Sequence, residues 1–153
     1  SMAKSSCPLD AGCTSVSYSP DGANLATGFT DETLRIWDAR NLSCSNIEFA
    51  FGHSGPISAL DYCDDGSKIV TGSQDGSIQI WDPHGDLTAP LQTSHGRKGY
   101  VNSVRFSPDC REVVAGSDDF KLRVCDADDL SDCRVGDGHT RGVSAAEFTP
   151  DGS

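Results

Sequence analysis

This sequence has no apolar run long enough to cross a membrane as a helix, and no apolar core of the kind that opens a secreted chain. Basic side chains are scarce: 12 Lys and Arg stand against 23 Asp and Glu, a formal net charge of −11. Such a chain repels phosphate backbones and anionic lipid, so neither nucleic acid nor membrane is an expected partner. A protein with basic segments is. No C-x-x-C pair occurs. The seven cysteines (Cys7, Cys13, Cys44, Cys63, Cys110, Cys125 and Cys133) are scattered along the chain, which argues against a zinc site and for reduced thiols in an intracellular, cytoplasmic or nuclear, protein. No G-x-S-x-G elbow and no G-x-G-x-x-G or phosphate loop precedes a helix. Asp126, Asp128, Asp129 and Asp132 lack the spacing and the final Glu of a calcium loop. No stretch carries a helical period. Catalytic residues, cofactors and metals are therefore not expected, and the chain reads as no enzyme.

What is present is repetition. Leu25 to Asp38 (LATGFTDETLRIWD) returns as Ile69 to Asp82 (IVTGSQDGSIQIWD) and again as Val113 to Asp126 (VVAGSDDFKLRVCD), in steps of 44 residues. That period marks a repeat architecture. Ahead of each copy lie three apolar columns: Cys13, Ile57, Val101 and Val143; Val16, Leu60, Val104 and Ala146; Tyr18, Tyr62, Phe106 and Phe148. The last two columns are two residues apart, the spacing of a strand with one buried face. Turns follow at SPDG (Ser19 to Gly22), CDDG (Cys63 to Gly66), SPDC (Ser107 to Cys110) and TPDG (Thr149 to Gly152). Cys110 in the glycine place should strain its turn or shift its type.

A second strand, a second tight turn and a third strand complete each copy. The third strand carries Leu34 and Ile36, Ile78 and Ile80, Leu122 and Val124 inward, with Arg35, Gln79 and Arg123 between them. A looser fourth strand is expected near Ile47–Phe49, Leu87–Leu91 and Cys133–Val135. Pro90 suits an outer edge there, where an N–H can be spared. Four short antiparallel strands per unit read as all-β propeller blades, about three and a half of them. The expected organisation is a lead-in over 1–12, beginning with an expression scar at Ser1-Met2. A propeller segment follows over 13–153, with repeats at 13–51, 52–94, 95–137 and a truncated 138–153.

These motifs, together with Gly52-His53, resemble the WD-repeat family, from residue 13 almost to the end. The resemblance implies a hydrogen-bonded tetrad in each blade, which the second repeat supplies as His53, Thr71, Asp75 and Trp81. The first repeat has Thr27, Asp31 and Trp37 but Leu9 in the histidine place. The third has Asp119 with Ala115 and Cys125, and His95 displaced by two residues, so a looser third blade is expected. The fourth begins with Gly138-His139, and His139 is expected to be structural like His53. Closing a ring takes about seven such blades, roughly twice this length. A segment of a longer propeller is the first expectation. Self-association of two copies through the open ends is the second, and a proteolytic stop the third.

The resemblance further implies a protein–protein interaction scaffold, docking partners on the rim that carries the second turns. The candidate binding residues there are Phe29, Thr30, Gln74, Tyr100, Asp118, Phe120 and Arg141, with Arg97 and Lys98 in an inserted loop beside Tyr100. Trp37-Asp38-Ala39-Arg40 resembles the box of substrate receptors in cullin–RING ubiquitin ligases. Arg40 would then face the adaptor. A non-catalytic subunit of an enzyme complex is the remaining alternative.

Overall fold

The computed structural model describes residues 11–42, 47–95 and 98–152. Within them twelve strands form three four-stranded antiparallel sheets and no helix; nothing described is a helix long and apolar enough to cross a membrane. The first blade holds β1 (Cys13–Tyr18), β2 (Asn24–Phe29), β3 (Thr33–Asp38) and β4 (Ile47–Phe51). The second holds β5 (Ile57–Tyr62), β6 (Ile69–Ser73), β7 (Ile78–Trp81) and β8 (Gln92–Ser94), and the third β9 (Val101–Phe106), β10 (Glu112–Ser117), β11 (Leu122–Asp126) and β12 (Cys133–Gly136). Strand order follows chain order in each sheet.

The turns explain the meander. Gly22, Gly66 and Gly152 sit at φ 69°, 75° and 78°, and each donates its N–H to the carbonyl three residues back. Cys110 takes the same place at φ 62° and makes the same bond, to Ser107. The turn has thus not changed type. The side chain is simply held in the left-handed region, at about 1 kcal/mol.

The core lies between sheets. Ile57, Leu60 and Tyr62 of β5 pack with Ala26, Leu34 and Ile36 of the first blade. Val101, Val104 and Phe106 of β9 pack with Val70, Ile78 and Ile80 of the second. Each first strand therefore buries its columns on the preceding blade. No described sheet precedes β1, so Val16 and Tyr18 of the same columns are 58% and 64% exposed. The columns are spaced three and then two because a bulge interrupts each first strand, between Cys13 and Ser15 and between Ile57 and Ala59, with its counterpart opposite Gly116 and Ser117. A bulge turns the first column back to the face of the other two.

The bulged residue locks the junction. Thr14 Oγ1 reaches the Gly28 and Ile57 carbonyls, Ser58 Oγ those of Gly72 and Val101, and Asn102 Nδ2 donates to the Val143 carbonyl at 3.2 Å. Facing the bulge, each second strand carries glycine. A Cβ on Gly28 would lie 2.4 Å from Ile57, on Gly72 2.5 Å from Val101, and on Gly116 2.7 Å from Val143.

Four expectations need correction. The outer strand of the second blade is Gln92–Ser94, not Leu87–Leu91, which forms turns with Leu87 buried beneath them. The first strand of the fourth repeat is not assigned as a strand, because no ladder partner of its own repeat stands beside it. It still docks on β9 and β10 through Ala146–Ser103 and Val143–Ser117 bonds. Leu122 and Val124, expected inward, are only half-buried, whereas Arg35 and Gln79 between the inward residues are buried as well. Finally, the thiols are not all reduced. Cys63 is bonded to Cys110 and Cys125 to Cys133, and Cys13 alone among the described cysteines is free. Folding brings Cys63 and Cys110 together from repeats that looked unconnected in sequence. Cys7 and Cys44 lie outside the described residues.

Candidate functional site

The second blade carries a buried chain of polar side chains. The Trp81 indole donates to Thr71 Oγ1 at 2.9 Å, and His53 Nε2 lies 2.7 Å from the same oxygen. The Ser77 hydroxyl gives its proton to the acceptor-only Asp75 carboxylate and can only accept from the imidazole, so the ring proton sits on Nδ1 and Nε2 accepts the Thr71 hydroxyl proton. Nδ1 then donates to Ser77 Oγ at 2.8 Å, with Asp75 Oδ2 at 3.4 Å, and Ser77 Oγ donates to Asp75 Oδ1 at 2.6 Å. The four expected residues come together, and Ser77 joins them as a fifth.

Ser77, His53 and Asp75 are the residue types of a hydrolase triad, but the wiring is wrong for one. The serine proton goes to the carboxylate, the second imidazole nitrogen is occupied by Thr71, and His53 and Ser77 are buried at 7% and 4% exposure. A nucleophilic triad needs the serine facing substrate and hydrogen-bonded to an imidazole free to take its proton. The network positions the loop before β5 against the β6–β7 turn, where Asp75 also accepts the Ser54 N–H at 2.8 Å.

Burial lowers the His53 pKa below its ordinary value, and neighbouring Asp75 only partly opposes this. Burial pushes Asp75 up, yet the Ser77 hydroxyl, the Ser54 and Ser77 amides and His53 together hold it down at about 2. Below pH 6.5 the unfolded chain therefore binds a proton that the folded chain refuses, and stability falls with pH until the folded His53 value is passed. Unfolding followed in urea from pH 8 to pH 5 should show this decline, at no more than about 1.4 kcal/mol per pH unit. His53→Gln should flatten it. Asp75 adds a separate loss of the same sign as pH falls from about 3.8 towards 2.

The other blades hold the same turn carboxylate differently. In the first, Asp31 accepts from Thr33 and pairs with Arg35, whose guanidinium lies 3.9 Å from the Phe29 ring centroid and 5.2 Å from that of Phe49. Trp37 donates to Thr27 at 2.7 Å, without a histidine behind them in the described residues; Leu9 lies outside these. In the third, Asp119 takes a two-pronged bond from Arg123. Ala115 and Cys125, both buried, replace the hydroxyl and the indole. His95 and His139 are exposed and join no such network; His139 has no second and third strand of its own repeat to close over it.

The rim is defined by the second turns and the loops that cross them. Gln74 N–H bonds the Pro56 carbonyl at 2.9 Å and Asp118 N–H the Tyr100 carbonyl at 3.0 Å. Asn102 also holds the Asp118 carboxylate at 2.6 Å. Gln74, Lys98, Asp118 and Arg141 are exposed, with Tyr100 at 52% and Phe120 at 50%. Thr30 Oγ1 is engaged by the Gly12 N–H at 3.0 Å. Phe29 departs from expectation: it is 8% exposed beneath Arg35 and presents no contact surface. Arg97 lies outside the described residues. Arg40 is exposed on the opposite edge, its N–H held by Asp38 Oδ1 at 2.8 Å, away from every rim residue.

Comparison with known proteins agrees with this geometry. The family model described as WD domain, G-beta repeat, matches residues 5–38, 44–82 and 88–126, well over half of the chain. The second and third matches each begin before the outer strand of one sheet and end at the close of the third strand of the next. The sequence repeat is thus one strand out of phase with the blade. Pre-mRNA-processing factor 19 of Oryza sativa subsp. japonica is 43% identical over 49 residues. That is 32% of this chain and 9% of the relative, little more than one repeat.

Proposed function

The chain belongs to the WD-repeat family, whose members bind other proteins, and we propose that it acts as an interaction scaffold whose docking surface is the rim around Tyr100 and Phe120. The observation that carries this reading is Phe120. It occupies φ 66° at the turn position where the second blade has Gly76 at φ 82°. A phenylalanine there costs about 1 kcal/mol relative to glycine and leaves its ring half in water. The first blade carries Glu32 at φ 73° in the same place, so a side chain is accommodated there, and an exposed aromatic on that turn is a good anchor for a partner. The turn is rigid because both sides are crowded. A Cβ on Gly99 would lie 2.8 Å from the Asp119 nitrogen, and one on Gly142 2.7 Å from Asp118 Oδ1. Tyr100 stands beside it, with Lys98 and Arg141 supplying positive charge in an acidic protein.

The test separates binding from folding. A displayed peptide library selected on the purified chain should yield binders that lose at least about tenfold in affinity on Tyr100→Ala or Phe120→Gly. Phe120→Gly should at the same time raise stability by about 1 kcal/mol. Binders indifferent to both substitutions would place the docking surface elsewhere.

A further inference from the structure

The turn that closes each first strand follows one plan, and two residues break it. In that plan a hydroxyl leads. Ser19 Oγ donates to Asp21 at 2.6 Å and accepts the Asn24 N–H at 2.9 Å; Ser107 does the same with Asp109 at 2.6 Å and Glu112 at 2.9 Å. Thr149 Oγ1 donates to Asp151. Glycine closes, at positive φ. Cys63 stands in the hydroxyl place of the second blade and supplies no such bond. Cys110 stands in the glycine place of the third, at φ 62°. Each is a poor choice for its own turn. The two exceptions fall in adjacent blades and are bonded to each other, with Cα atoms 5.6 Å apart.

We infer that Cys63 and Cys110 form a thiol–disulfide exchange site that clamps the second blade to the third, closed and opened by small disulfides and thiols of the glutathione class. Cys63 is fully buried and Cys110 only partly, so Cys110 is the sulfur that meets the reagent. Its thiolate attacks one sulfur of glutathione disulfide; that S–S bond breaks and a glutathione thiolate leaves. The Cys63 thiolate then attacks the Cys110 sulfur of the mixed disulfide and expels the second glutathione thiolate. The two protein thiols give up two protons and two electrons, and one glutathione disulfide becomes two glutathione thiols. The reverse sequence opens the clamp. The third blade is where a clamp has most to do, since Ala115 and Cys125 leave it without the network of the second. Its other bridge, Cys125–Cys133, joins β11 to β12 within one sheet and crosses no junction.

Two readouts test this on the whole chain. After equilibration in glutathione buffers of graded ratio and quenching with an alkylating agent, trypsin should yield residues 41–68 joined to residues 106–111 in a Cys44→Ser background. The Cys125–Cys133 bridge stays inside residues 124–134 and is scored separately. The joined peptide should disappear as the buffer becomes reducing. Cys110→Gly then gives a change of sign. It should lower the urea midpoint in oxidising buffer, where the clamp is lost, and raise it in reducing buffer, where only the turn is relieved. A midpoint raised in both buffers, or no joined peptide at any ratio, overturns the proposal. So does stoichiometric zinc uptake by the reduced chain that blocks the joined peptide. The Asp65 carboxylate lies within 4.8 Å of both sulfurs, so that outcome would make the pair a metal site.

Discussion

Gly72→Ala is expected to destabilise the chain by about 3 kcal/mol, at the upper end of what overpacking a core costs. The conformation at Gly72 is not the reason, for its φ is ordinary. The reason is the junction. The added Cβ would lie 2.5 Å from Val101 Cγ1 and 3.0 Å from Val104 Cγ1, both fully buried in the core between the second and third blades. Val101 cannot retreat, because its carbonyl is held by Ser58 and its strand is paired with β10. Trimming the obstacle should therefore rescue the substitution. Val101→Ala alone opens a cavity, yet combined with Gly72→Ala it should cost at least about 1 kcal/mol less than the sum of the two. Strict additivity in urea unfolding would mean that the blades part at no cost, and the close approach would then have no energetic meaning. Gly116→Ala provides the control. Its obstacle, Val143, is held by the Asn102 and Ser117 bonds but lies in a segment without ladder pairing, so it yields more readily than Val101 and the cost should be smaller.

These glycines could be seen in the sequence as a column at Gly28, Gly72 and Gly116, but their purpose could not. A glycine in a strand signals either a special backbone or a close neighbour, and only the packed sheets decide between them. The same division runs through the rest of the fold. Turns and strand alternation are local, and they were legible because Pro, Asp and Gly act on their own backbone. The apolar face of β1 was legible too; that Val16 and Tyr18 remain exposed was not, because a pattern shows which face is apolar and never what covers it. The outer strand at Gln92–Ser94 was missed because it is polar and held by backbone bonds to β7. The apolar Leu87–Leu91 was the more visible choice. Cys63 and Cys110 are 47 residues apart, and nothing local to either turn names the other.

Of the buried network, the residue types were readable from the resemblance, and the wiring was not. Ser77 had a signal in the sequence. It follows Asp75 by two residues, as Thr33 follows Asp31, and in both blades that hydroxyl donates to the carboxylate. The three ways of holding the turn aspartate had one as well: Arg35 and Arg123 occupy the place of Gln79 in the blades that lack a histidine partner. On the rim, the exposure of Tyr100 and Phe120 and the burial of Phe29 depend on what lies above each ring. Composition says nothing about that.

Thr71→Val should cost about 3 kcal/mol, whereas the same change at Thr27 should cost about 1. The substitution conserves shape, so the difference measures only what each hydroxyl serves. At Thr71 two buried groups lose their partner together, the Trp81 indole N–H and His53 Nε2, and Trp81 is 1% exposed. Leaving a buried polar group unpaired costs about 1–3 kcal/mol each. At Thr27 the Trp37 N–H is released and the Arg35 carbonyl loses only a long bond of 3.3 Å, and Trp37 is half-buried, so water can take the place of the lost oxygen. Thr71→Ser, which keeps the hydroxyl, should recover most of the loss. Equal costs at the two positions would show that the imidazole is not part of a coupled chain. The third blade shows why the single change is the damaging one. There the hydroxyl and the indole are both absent, and Ala115 and Cys125 bury side by side with nothing left unpaired. Removing donor and acceptor together is close to neutral; removing the oxygen between two donor–acceptor partners is not.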